Sequence, residues 1–281
     1  MPIFPVPNSK ISLLNTSHSA SKDVGGVAEM SPSALAADGQ TKRIVRRECV
    51  RSAALELSQL SALVDEFYYI YRETTHGCTR DEFASVVFGA GDARFVLFYG
   101  EGNEFAGFCY TAFEDIEYQA RSYALIHAGV FFRRGYHGGT RSGFFGLRQA
   151  LRFKLLHPRT PLAYLTRCSS PAVYRLLATV PRIYPGRRHQ TPIHVAALAR
   201  AASAQRNYVP VGNNPWVVWS AAVPCDASPL RRLEDDPDVR FYCELAGGYA
   251  EGESLLVWLP LDLSNITGGF LRLLRRRRSA R

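Results

Sequence analysis

From Tyr118 to Cys225 the chain contains no Asp and no Glu, although the same stretch carries 15 Lys and Arg. The whole sequence has 25 acids in 281 residues and a formal net charge of +9, so the imbalance is local. A folded segment this one-signed raises the local potential for anions and opposes its own compaction by repulsion. Together with a glycine-rich turn inside the same span, it points to a polyanionic ligand. No apolar run reaches about 18 residues, so no transmembrane helix is expected. No charged opening segment leads into an apolar block, so no secretory signal peptide is expected either. The six cysteines (Cys49, Cys78, Cys109, Cys168, Cys225 and Cys243) form no C-x-x-C and no metal-ligand spacing. Several lie in apolar runs, where a free thiol packs as a small hydrophobe, which implies reduced thiols and a cytoplasmic setting. His76, His157, His189 and His194 show neither H-x-x-x-H nor H-E-x-x-H, so no metal is expected.

Against these absences, 47% apolar and 12% aromatic residues are enough for a substantial core. Residues 1–42 are rich in Ser, Ala, Gly, Asn and Pro without periodicity and read as a disordered tail. The first 22 residues are Ser-rich and free of acids, which resembles the leader of a bacterial type III secreted effector. A helix is expected from Arg46 to Thr75, where Ala53, Leu57, Leu60, Val64, Phe67 and Tyr71 recur at i+3/i+4. Phe67, Tyr68, Tyr69 and Tyr71 on it could line an acceptor groove or be core. A second helix spans Arg80 to Phe88, with Thr79 and Glu82 as a capping box.

An antiparallel meander follows: Arg94–Tyr99, Phe105–Phe113 and Ala120–Phe132, with Glu114–Gln119 as the second connection. A loop over Arg133–Thr140 then leads into a helix over Phe144–Leu156. Further on come a strand (Leu162–Arg167), a helix opened by Pro171, a helix over Pro192–Gln205 and a strand over Trp216–Ala222. Phe241–Leu245 and Ser254–Leu259 read as a late hairpin, and Phe270–Arg281 as an apolar stub fused to an arginine run.

The loop carries the chemistry. A strand entering a glycine-rich turn and then a helix leaves unpaired backbone N–H groups at the helix N-terminus, where they and the helix dipole favour phosphate. Gly138 and Gly139 let backbone approach a ligand closely, and Arg133, Arg134 and Arg141 add charge-assisted contacts. An ordinary strand-to-helix connection is the plainer reading of the same residues.

This order of elements, with this turn, resembles the GNAT superfamily of acyl-CoA-dependent N-acetyltransferases over roughly residues 46–190. The family's pyrophosphate loop is Q/R-x-x-G-x-G/A. Read from Arg134, Gly139 fits the sixth position while His137 stands at the fourth. Ser169-Ser170-Pro171-Ala172-Val173-Tyr174-Arg175-Leu176-Leu177 is similar to the family helix that begins with Asn and carries a Tyr. The resemblance implies an α+β fold, a GNAT-like mixed and mostly antiparallel sheet flanked by helices. The domain would run over residues 43–265, with a C-terminal extension from about 190 and a basic tail over 266–281.

It further implies that acetyl-CoA or another acyl-CoA lies along Phe131, Arg133, Arg134, Tyr136, His137, Gly138, Gly139, Thr140 and Arg141, its arm entering a splay near Ala128–Phe131. Tyr174 would be the general acid. Candidate bases are His127, His137 and the carboxylates Glu114, Asp115 and Glu117, which lie at the far end of the strand hairpin. The acceptor would be a small-molecule amine or a protein lysine. Two rivals remain: an inactive GNAT-like protein that binds an anionic ligand or partner, and a basic protein acting on membranes or nucleic acid. The C-terminal arginines read first as a solvated tail, then as a short segment for anionic lipid and last as a nucleic-acid contact. No helix-turn-helix or RNP pattern supports nucleic acid in the main domain.

Overall fold

The computed structural model describes residues 42–89, 91–136, 139–220, 222–225 and 235–279. Expectations about the 1–42 tail, its leader-like first residues and the last two residues therefore fall outside it, apart from Lys42.

Seven strands form one sheet: β1 (Ile44–Arg51), β2 (Arg94–Gly100), β3 (Phe105–Tyr118), β4 (Arg121–Phe132), β5 (Leu162–Cys168), β6 (Val217–Trp219) and β7 (Glu253–Pro260). Their order is β1-β2-β3-β4-β5-β7-β6, and every pairing is antiparallel except β4 with β5. Among the described residues, seven α-helices accompany them: α1 (Leu57–Thr74), α2 (Arg80–Phe88), α3 (Gly139–Leu156), α4 (Pro171–Leu177), α5 (Ile193–Gln205), α6 (Pro237–Leu245) and α7 (Leu263–Ser279). A separate two-residue ladder joins Thr75–His76 to Val223–Pro224. The mixed, mostly antiparallel α+β sheet is the fold class expected.

Two layers of helix cover the sheet. Phe67, Ile70 and Tyr71 of α1 and Phe83 of α2 pack on Phe95, Phe108 and Tyr110, while Leu198, Ala199 and Ala202 of α5 pack on Leu125, Leu165 and Trp258. A further core joins Ala150 of α3, Tyr174 of α4, Tyr242 of α6 and Ile266 of α7 to Ile126 and Val257. Phe67 and Tyr71 are thus core residues, Tyr68 donates to the Cys78 carbonyl at 2.9 Å, and Tyr69 alone of the four is exposed. None of the six cysteines is paired.

Several expected boundaries move. Residues 44–51 are an edge strand rather than the start of a helix. The helical periodicity begins only at Ala53, and pairing with β2 (Cys49 beside Val96) organises what precedes it. The Gln59 side chain accepts from the Glu56 N–H at 3.0 Å and starts α1. The Thr79–Glu82 capping box forms as expected. The acidic stretch 114–118 continues β3 instead of connecting it, with Ile116 buried, and Gln119 and Ala120 make the turn at φ 50° and 57°.

Residues 241–245 belong to α6 and do not pair with β7. Asp236 caps that helix and Pro237 occupies its first turn, a start signal present in the sequence. The residues beyond 190 supply α5, β6 and β7, and β7 lies between β5 and β6 inside the sheet. Residues 270–279 are helical, within α7. Among the described residues no helix is long and apolar enough to cross a membrane.

Candidate active site

The one parallel pairing among the described residues is short. Ala124, Leu125 and Ile126 of β4 lie beside Leu162, Ala163 and Tyr164 of β5, and there the pairing stops. β4 runs on to Phe132 and β5 to Cys168, each still paired on its outer side. The two strands therefore part, and backbone groups on the facing edges lose their partners. Side chains take some of them up. The Tyr164 hydroxyl donates to the Ala128 carbonyl at 3.1 Å, and Arg206 Nη1 donates to the Leu165 carbonyl at 2.9 Å.

His127 is the first β4 residue past the last parallel pair. In the β3–β4 register it faces Ala112, and Glu114 stands two residues along on the same side. Its Nε2 lies 2.9 Å from Glu114 Oε2, and Glu114 Oε1 accepts from Arg206 Nε at 2.6 Å. Arg206 comes from the end of α5, with its side chain 6% exposed. Burial alone pushes the Glu114 carboxyl upward, but His127 and Arg206 outweigh it and hold the group below the usual carboxylate range. An imidazole, a carboxylate and a guanidinium from three elements thus meet where the strands part. His127 was singled out in the sequence; Arg206, Tyr164 and the closeness of Glu114 were not.

The other expected site residues are placed differently. Glu117 is exposed near the hairpin turn, opposite Ser122, and an odd number of residues from Glu114 puts it on the other face of β3. It does not join His127. Tyr174 is 0% exposed, its ring packs near Phe241 and Tyr242, and its hydroxyl donates to the Pro185 carbonyl at 3.0 Å. Burial raises its phenol well above the ordinary range. That makes Tyr174 a core residue with its proton committed, and a niche of about 10 Å³ beside it holds at most one water.

The loop after β4 turns inward. Arg133 Nη2 contacts Glu73 at 2.9 Å and Nη1 contacts Glu104 at 3.1 Å. Tyr136 is buried and donates to Glu104 Oε2 at 2.6 Å, an interaction that pushes its phenol up to about 12. The Arg133 N–H donates to the Ala106 carbonyl and the Tyr136 N–H to the Arg133 carbonyl. Hence two of the expected phosphate contacts are already engaged with the protein, a correction that follows from acids on α1 and beside β3. Arg134 is exposed, and Phe131 packs on Phe108 and Phe83. Gly139 opens α3; His137 and Gly138, and the side chains of Thr140 and Arg141, lie outside the described residues. Among the described residues no three His, Cys, Asp or Glu cluster as a metal site would require.

Among the described residues, the strand order with one parallel pair opening into a splay is the mixed, mostly antiparallel α+β arrangement that the GNAT resemblance implied. Among solved structures, Escherichia coli ElaA is similar over 50% of this chain and 90% of its own, at 14% identity and a TM-score of 0.28. A candidate phosphinothricin N-acetyltransferase is similar over 51% and 90%, at 13% identity and a TM-score of 0.29. Likeness at that level carries no argument about residues or activity. No protein-family model matches the chain, and no curated protein matches it.

Proposed function

We propose that the chain is an N-acyltransferase that moves an acyl group, acetyl in the simplest case, from a CoA thioester to an amine. One observation carries the reading: the splay opens at His127, whose Nε2 lies 2.9 Å from a Glu114 carboxylate that also pairs with Arg206. Past Ile126 the inner edge of β4 has no strand partner, which suits an extended donor arm. The phosphate end fits less fully, because Arg133 and Tyr136 are engaged; Arg134 and the start of α3 remain for it.

Acyl-CoA supplies an activated thioester carbonyl. The chain's own groups supply the rest. His127 accepts the proton that the amine loses as its nitrogen bonds to the carbonyl carbon and the C–S bond breaks. Glu114 keeps the imidazole oriented and stabilises it once charged, and Arg206 keeps Glu114 ionised. The departing thiolate takes a proton from solvent, because the Tyr174 and Tyr164 hydroxyls are both committed to backbone carbonyls.

Titration with acetyl-CoA tests the donor, and free-thiol release on adding amines tests turnover. His127→Gln should lower kcat by about 100-fold or more, the range for losing a general base, while acetyl-CoA still binds. Absence of acetyl-CoA binding by the intact protein would overturn the reading. Binding without thiol release from any amine would favour an inactive binding protein on the same fold.

A further inference from the structure

Charge at the vertex of the splay does not balance. Glu114 is shared between His127 and Arg206. Arg206 has used Nε on Glu114 and Nη1 on the Leu165 carbonyl, and its Nη2 is buried with no partner. Arg167, on β5 beyond the last parallel pair, lies 4.4 Å from the centre of the Tyr208 ring. The Arg206 guanidinium lies 6.0 Å from the same ring. Both guanidinium groups therefore stand against one ring. Among the described residues Arg167 has no carboxylate partner. None can come from β5 or α5, because no acid occurs between Tyr118 and Cys225.

A buried guanidinium N–H left unpaired is costly, and two fixed cations against one shared carboxylate leave a net positive site. A purely structural cluster would close this imbalance with a second acid. We propose that the acceptor closes it: the amine substrate also carries a carboxylate, which binds Arg206 Nη2 and Arg167 while its amino group faces His127. Planar guanidinium groups suit a carboxylate through paired N–H donors, and Tyr208 holds Arg167 in place by cation–π contact. The acceptor class is therefore an amino acid or a similar amino-carboxylate rather than a polyamine. This assignment deepens the acyltransferase reading and rests on it for the reaction, but carboxylate binding itself does not require turnover.

The test has two arms on the full-length protein. In the first, acetyl-CoA thiol release is measured with amino acids and with their carboxamides. The acids should be preferred, and Arg167→Gln should cut the acid-to-amide ratio of kcat/KM by about tenfold or more, the worth of one charge-assisted contact. Arg167→Lys should restore part of it. Equal use of acids and amides, or a loss in Arg167→Gln that is the same for both, would overturn the proposal.

The second arm measures binding of the same amino acids and amides by calorimetry without donor, to the unaltered protein and to Arg167→Gln. Binding of acids only, weakened in the variant, supports the subsite even if no acyl transfer is found, in which case the donor reading fails alone. Failure to bind any acid overturns the subsite and leaves the separate acetyl-CoA titration to decide the donor.

Discussion

At the scale of single residues, Glu114 is the side chain on which most depends. It is partly buried, contacts an imidazole and a guanidinium, and has its carboxyl held below the usual range. A carboxyl with a depressed folded-state pKa stabilises the fold at pH values above its unfolded pKa of about 4.3. That contribution disappears as pH falls through the lower folded value. Glu114→Gln should therefore destabilise the protein at neutral pH and flatten the acid limb of stability against pH, as followed by urea midpoints.

Arg206→Met is the complementary change. It strands a buried carboxylate and should cost about 3 to 5 kcal/mol in denaturant unfolding, the range for removing one member of a buried pair. Glu114→Gln should also shift the pH profile of kcat, which damage to packing alone would not do.

At the scale of elements, the loop from Arg133 to Tyr136 is tied to the β2–β3 hairpin. Tyr136 fits over Gly100 so closely that a Cβ there would collide with its ring and hydroxyl. Gly100→Ala should therefore evict Tyr136 from its slot, lower Tm, and speed hydrogen exchange at the Tyr136 amide. If the loop serves a donor's phosphates, the same variant should weaken acetyl-CoA binding. Unchanged exchange at Tyr136 would show that the slot does not hold the loop.

Sequence patterns located α2, α4 and α5 because their signals are local: the Thr79 cap, Pro171 after Ser170, and apolar periodicity along 193–205. They misplaced 44–51, an edge strand mostly exposed along its length, because its only organiser is the neighbouring β2.

At the scale of the whole molecule, β7 enters the sheet between β5 and β6 although it comes last among the strands. It brings Leu255, Leu256 and Val257, all 0% exposed. Ending the chain after Asp235 would strip β5 of its outer partner and expose both faces of that region. Such a truncation should fail to give a cooperative thermal transition by circular dichroism. The acid-free span acts at this scale too. Acetyl-CoA affinity should fall as ionic strength rises, because a diffuse excess of positive charge is screened over about 8 to 10 Å at physiological salt. Salt-independent affinity would show that local contacts alone hold the anion.

By itself, the sequence determined the fold class, the meander, the position of the strand-to-helix turn, and His127 as a candidate base. The meander and the turn follow from periodicity, caps and turn residues carried by near neighbours in the chain. The fold class and the role offered for His127 came instead from the resemblance of this element order to the GNAT superfamily. Only the tertiary structure decided which carboxylate meets His127, that Tyr174 is buried with its proton committed, and that Arg133 answers to Glu73 and Glu104. Those outcomes depend on strand register and on helices docked from distant segments: Arg206 meets Glu114 across 92 positions of sequence. A pairing over that separation has no local signature, because the packing of α5 on the sheet creates it.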